Sequence, residues 1–183
     1  MALTDADWPR YSFLAGATTA FARAATPDIE QRLLAGTNDA FTCETWLQLR
    51  PPKRALSPVS ERIRHGGCWV VHTRAWALGL LDDGAIVVYW NGDWLVSSPG
   101  RVLPRRWTHA ALGHSGAITE RPVVLVENAA VGLTEVKSKQ VVGLPVDVSG
   151  GFRVGWGPSP ACLLLLHELR LWAVQLPFET IKQ

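Results

Sequence analysis

Leu163-Leu164-Leu165-Leu166-His167-Glu168-Leu169-Arg170-Leu171-Trp172 is the stretch on which the fold of this chain turns. Side chains alternate across a strand with a period of two. On that period Leu163, Leu165, His167, Leu169 and Leu171 share one face, and Leu164, Leu166, Glu168, Arg170 and Trp172 share the other. The first face is almost wholly apolar; the second starts apolar and ends amphipathic. A central strand of a two-layer sandwich has this character. A helix competes, because Leu, Glu and Arg are good helix formers and a short apolar run does not decide the matter. Turn formers bracket the stretch: Gly155, Gly157, Pro158 and Pro160 before it, Pro177 after it.

Working outward, turn signals recur at strand-like spacing. Phe41, Cys43, Thr45, Leu47 and Leu49 alternate with Thr42, Glu44, Trp46 and Gln48, the pattern of a half-buried strand over Phe41–Leu49. Strands are expected at Cys68–Thr73, Trp76–Leu81, Ala85–Trp90, Asp93–Ser98, Trp107–Gly113, Arg121–Glu127, Ala130–Val136, Lys139–Val148 and Phe152–Trp156. Turns are expected at Asp82-Asp83-Gly84, Asn91-Gly92, Pro99-Gly100 and Asn128-Ala129. Asn91-Gly92 is the sharpest of these, because both central positions of a type I′ turn need positive φ. Upstream, Tyr11–Ala22 reads as a strand, and Thr26-Pro27-Asp28 opens one or two helical turns that Gly36 ends. Pro51-Pro52 to Gly67 reads as an exposed connection.

The 183 residues suffice for one sizeable core, so a single domain over 1–183 is expected. Eighteen basic and sixteen acidic residues leave a formal net charge of +2, too balanced for a nucleic-acid partner. Lys53, Arg54, Arg62, Arg64 and His65 form the nearest approach to a basic patch and read as a solvated loop. No run reaches the length of a membrane span. The N-terminal residues show no basic region followed by an apolar one, so no secretory signal is expected. Cys43, Cys68 and Cys162 match neither a zinc spacing nor a disulfide framework, which favours a reduced, cytoplasmic setting.

Four segments, in order, are similar to laminin-G-like domains of the concanavalin-A-like lectin/glucanase superfamily. Asp39–Trp46 resembles their "FTIEaW" strand and Arg106–Leu112 their "WTHVA" strand. Val124–Asn128 resembles "LYVNG", and His167–Trp172, followed by Leu176 and Ile181, resembles the closing "DEVRIW" segment. The resemblance implies an all-β jelly-roll β-sandwich of two antiparallel sheets, with at most one or two short helices, a concave face and rim loops. It also implies strand, not helix, for Leu163–Trp172. Asn128 stands where the family has a turn glycine, and His167 where many members carry aspartate. Many members bind calcium, but here only Asp82, Asp83, Asp93 and Asp147 are candidates and they are dispersed, so no cofactor is expected.

Chemistry-bearing patterns are sparse. Glycosidases need two carboxyl groups about one bond, and the nearest option is Glu44 with Glu168, each with an arginine such as Arg170 as the alternative partner. His109 and His114 are the nearest histidine pair for a metal, and His167 reads as a core histidine on a leucine face. No nucleophile elbow and no phosphate loop occur, so an enzyme is not expected. The nine tryptophans are the unusual entry. Trp90-Asn91-Gly92-Asp93-Trp94 sets two rings about a polar hairpin tip, where rings stack on a sugar's C–H face and Asn and Asp bond its hydroxyls. The candidate ligand-binding residues are Trp90, Asn91, Asp93 and Trp94, with His72 and Arg74 beside them; Trp156-Gly157-Pro158 is a second rim. Trp46, Trp107 and Trp172 are assigned to the core or its edge. The first reading is a non-catalytic, lectin-like glycan-binding module. The alternative is a protein–protein or structural module, with a homo-oligomer left open, since Trp and Arg also anchor interfaces. A glycoside-acting enzyme ranks third.

Overall fold

The structure is a computed structural model that describes residues 13–15, 40–50, 64–65, 67–73, 75–137, 141–142, 144, 153–156 and 163–181. Among the described residues fourteen strands form two six-stranded antiparallel sheets and a short parallel pair, and no helix occurs. The first sheet has the order β1 (Phe13–Ala15), β14 (Leu163–Trp172), β2 (Ala40–Arg50), β8 (Trp107–Ser115), β9 (Val123–Val126), β10 (Ala129–Ala130). The second has the order β11 (Leu133–Val136), β7 (Asp93–Ser97), β6 (Ile86–Trp90), β5 (Trp76–Leu81), β4 (Gly67–His72), β13 (Arg153–Trp156). The parallel pair is β12 (Val141–Val142) with β3 (Arg64–His65). The expected all-β sandwich is therefore the fold. The helical turns expected after Thr26 lie outside the described residues, as do Arg74, Asp147, Cys162 and most of the 51–66 connection.

Between the sheets lies one apolar layer. Phe41, Cys43, Leu47 and Leu49 of β2, Ala110 and Leu112 of β8 and Leu164 and Leu166 of β14 meet Trp76, Leu78, Leu80, Ile86, Val88, Trp90 and Leu95 of the second sheet. Cys43 is wholly buried here, and burial pushes its thiol far above the ordinary range, so it packs as a small hydrophobe. The second sheet is apolar on its other face too. Trp69, Ala77, Leu81, Val87, Trp94, Val96 and Leu144 pack there. Gly79 makes room for this layer, since a Cβ in its place would lie 2.7 Å from the Trp69 ring.

Three turns and one crossing fix the register. Asn91 (φ 49°) and Gly92 (φ 97°) form the expected two-residue turn, pairing Trp90 with Asp93 and Tyr89 with Trp94. The β9–β10 turn is Glu127-Asn128 (φ 50° and 65°), one residue earlier than expected, with two non-glycine residues in the left-handed region. Gly84 (φ 77°) closes the β5–β6 turn. The run 130–136 is not one strand: Ala130 ends a pairing with β9, and after Val131-Gly132 the chain crosses to the second sheet, where β11 pairs with β7.

The decisive stretch is a strand, but its face assignment changes midway. Pairing with β2 runs Leu166 to Leu47, His167 to Trp46, then Arg170 to Glu44. Glu168 and Leu169 together oppose Thr45, which makes a β-bulge, and Glu168 sits at φ 52°. The extra residue inverts the alternation. Leu164 and Leu166, then Leu169 and Leu171, face the core, while Leu165, His167, Arg170 and Trp172 share the outer face. The Thr45 hydroxyl donates to the His167 carbonyl at 3.0 Å, serving a group that the interrupted ladder leaves over.

Candidate functional site

Beyond Val174 the chain folds back over one half of the outer face of the first sheet. Thr42 Oγ1 donates to the Val174 carbonyl at 3.0 Å and accepts from the Leu176 amide at 2.8 Å. Ile181 packs with Ala111 and Leu125, and Leu176 joins them. The other half of that face carries a polar and aromatic constellation that β2, β8 and β14 set side by side.

Glu44 is its centre. The register places it between Arg170 on β14 and Ala111 on β8. Glu44 is 5% exposed, and its carboxylate is served from three sides. Trp172 Nε1–H donates to Oε1 at 2.9 Å, His109 Nε2 lies 3.3 Å from Oε2, and an Arg170 nitrogen lies 3.8 Å from Oε1. A buried carboxylate without such partners would be strongly unfavourable. Burial lowers the His109 pKa below its ordinary value, outweighing the nearby Glu44 charge. Trp46 packs edge-on against His109 with centroids 5.2 Å apart. Glu127, from its left-handed turn position, accepts from the His109 amide at 3.3 Å.

At the bulge, Glu168 Oε2 takes Arg170 Nη2 at 2.6 Å, and its Oε1 lies 3.5 Å from His167 Nε2. A non-glycine residue at positive φ is costly, so an unstrained chain would place glycine here. The left-handed turn at Glu168 thus swings a carboxylate beside Arg170. Trp172 is 41% exposed, and Val174 and Phe178 lie exposed beyond it.

The residues selected from the sequence are placed differently. Trp90 is 5% exposed, in the interlayer core, stacked on Phe41 and packed on His114. Trp94 is 7% exposed, on the opposite face of its sheet, stacked on Trp69. Neither turns a stacking face to solvent. A two-residue turn pairs Trp90 with Asp93, so the two rings necessarily leave the hairpin on opposite sides. His72 is wholly buried against Trp69. Asn91 and Asp93 are exposed at the tip. Phe41 neighbours Thr42, which pairs with Trp172, so the tip and Trp172 lie at the same end of the sandwich. Arg74 and the side chain of Trp156 lie outside the described residues.

Three further expectations are corrected. His167 stays with Leu165 on the outer face, while the bulge carries Leu169 and Leu171 to the core, and it meets Trp107 edge-on at 6.2 Å. His109 and His114, five positions apart on one strand, point to opposite faces and cannot share a metal. Glu44 and Glu168 share Arg170, an ion-pair arrangement and not two carboxyl groups across an open cleft. Asp83 is engaged by the Ala85 amide at 2.9 Å, and among the described residues no three His, Cys, Asp or Glu side chains converge as a metal site. Sequence reasoning missed the pairing of Glu44 with Trp172 and Arg170, and consigned Trp172 to the core edge. The residues were visible; the phase slip between them was not.

No known family model matches the chain, and no curated protein matches it in sequence. Solved structures do match in fold. A botulinum neurotoxin type C structure, whose cell entry is described as dependent on interaction with two ganglioside molecules, aligns with a TM-score of 0.60 at 9% identity, over 93% of this chain and 41% of that one. The serotype C1 binding domain aligns with a TM-score of 0.58 at 10% identity, over 94% and 42%. The binding domain of Paraclostridial Mosquitocidal Protein 1 aligns with a TM-score of 0.53 at 10% identity, over 79% and 36%. The chain thus spans about two fifths of the length of the toxin chains it matches. At such identity the likeness is one of fold: this chain is a β-sandwich of the kind found in those binding domains.

Proposed function

We propose that the chain is a non-catalytic glycan-binding module whose contact surface is the bulged end of β14. One observation carries the reading: Trp172 holds an exposed ring in a fixed orientation, tethered through its N–H to the buried Glu44, with Arg170 and Glu168 beside it. An oriented indole stacks on a sugar ring, and flanking charged groups bond its hydroxyls. Asn91 and Asp93, at the same end, add polar contacts, while Trp90, Trp94 and His72 support the rim from inside. Membership of the laminin-G-like group, with its rim-loop recognition, is part of this proposal. The solved neighbours support it as binding domains of similar fold, one of them from a toxin that engages gangliosides.

A second reading rests on Val174 and Phe178, exposed apolar side chains that follow Trp172 in the chain and suit a protein partner or a second copy of the chain. A glycan array with wild type and Trp172→Ala separates the two. Saccharide binding that the variant loses supports the glycan module. No saccharide binding, with a dimer in light scattering that Phe178→Ser dissociates, supports the protein interface.

A further inference from the structure

The chain makes the same left-handed turn twice, with different chemistry. Asn91 and Gly92 (φ 49° and 97°) join β6 to β7; Glu127 and Asn128 (φ 50° and 65°) join β9 to β10. Both tips are exposed. Of the three asparagines, Asn38, Asn91 and Asn128, Asn91 alone precedes a glycine. Gly92 lies between the paired residues Trp90 and Asp93, outside the ladder, and a Cβ built on it would meet nothing within 4 Å. Its φ of 97° strains any residue with a side chain, so the turn itself favours glycine here. Asn128 is followed instead by Ala129, which carries a methyl group and is already paired with Val126 in β10. The register of the β6–β7 hairpin therefore puts a side-chain amide directly before the backbone nitrogen with least around it.

We infer that Asn91 is a covalent modification site, where the chain deamidates and isomerises without an enzyme. The Gly92 backbone nitrogen attacks Asn91 Cγ. The N–Cγ bond forms, the Cγ–Nδ2 bond breaks, and ammonia leaves with the proton of the Gly92 amide. The product is a five-membered succinimide, which water then opens. Opening at Cγ gives aspartate; opening at the Asn91 main-chain carbonyl gives isoaspartate, with the backbone running through Cβ and Cγ. Aspartate suits the turn, since Asp-Gly also fills a type I′ pair. Isoaspartate lengthens the tip by one backbone carbon, and a two-residue turn has no slack for it. The strain falls on the pairs Trp90 with Asp93 and Tyr89 with Trp94, whose rings stack on Phe41 and Trp69 inside the packed layers.

Native incubation of the whole chain at mildly alkaline pH tests the inference, with peptide mass spectrometry for the conversion and an isoaspartyl methyltransferase assay for the isomer. Asn91 should convert at least ten-fold faster than Asn128, and methyl uptake should fall at least ten-fold in Asn91→Gln. The Asn91→Asp variant should melt with the fresh wild type, while the isoaspartate fraction melts lower. The guanidinium-unfolded chain is the reference. An Asn91 that converts there but stays intact in the folded chain over the same period, or that converts no faster than Asn128 when folded, overturns the inference. An isoaspartate fraction as stable as the fresh chain overturns its coupling to the core.

Discussion

The β6–β7 hairpin and the bulged end of β14 both carry tryptophan beside carboxylates, yet the sandwich uses them oppositely. At the hairpin an ideal two-residue turn sends Trp90 and Trp94 to opposite faces, and both faces of that sheet are packed. Regular pairing there buries both tryptophan rings. In β14 the pairing is broken by one residue, and the break turns Trp172 and Arg170 onto the outer face over Glu44. At the hairpin regular pairing fills the core; in β14 the inserted residue leaves Arg170 and Trp172 exposed on the outer face.

The comparison breaks most visibly at Trp90. Trp90→Ala should cost about 3–5 kcal/mol, as for other large core aromatics, measured by denaturant unfolding. A cost under about 1 kcal/mol, typical of a surface substitution, would mean that the hairpin ring is not part of the core. Next, Glu44→Ala should cost about 2–3 kcal/mol, because the partners it leaves are partly buried. Glu44→Gln, which keeps an acceptor for the indole, should cost less. Tryptophan fluorescence anisotropy should fall in the alanine variant as Trp172 loses its tether.

A smaller effect is expected from pH. His109 titrates below its ordinary value of 6.5 in the folded chain. As pH falls below about 6.5 the unfolded chain binds a proton that the folded one refuses, so this contribution to stability is present above that pH and is lost below it. His109→Gln should flatten that part of the stability–pH curve. Smallest is Glu168→Gly, which relieves the positive φ at the loss of an exposed ion pair; stability should stay level or rise by about 1 kcal/mol. Saccharide affinity should nevertheless fall. A variant both less stable and unchanged in binding would mean that the bulge serves folding alone.

Much was legible in the residues. The Asn91-Gly92 turn, the β4–β7 succession and the inward and outward sets of β2 followed from local chemistry, because alternation and positive-φ turns depend only on neighbours in sequence. The phase slip in β14 was hidden by its own leucines. With leucine at each position from Leu163 to Leu166, either parity gives an apolar face, so the step from Leu166 to Leu169 in the core-facing set leaves no trace. The Glu127-Asn128 turn was misplaced because neither residue is glycine.

The sequence by itself determined that this chain forms a two-layered β shell, since hydrophobic alternation and turn residues act over a few neighbours. Only the tertiary structure decided which tryptophan meets solvent. That depends on what covers each sheet face and on one inserted residue at Glu168, both set by pairing with strands more than a hundred positions away.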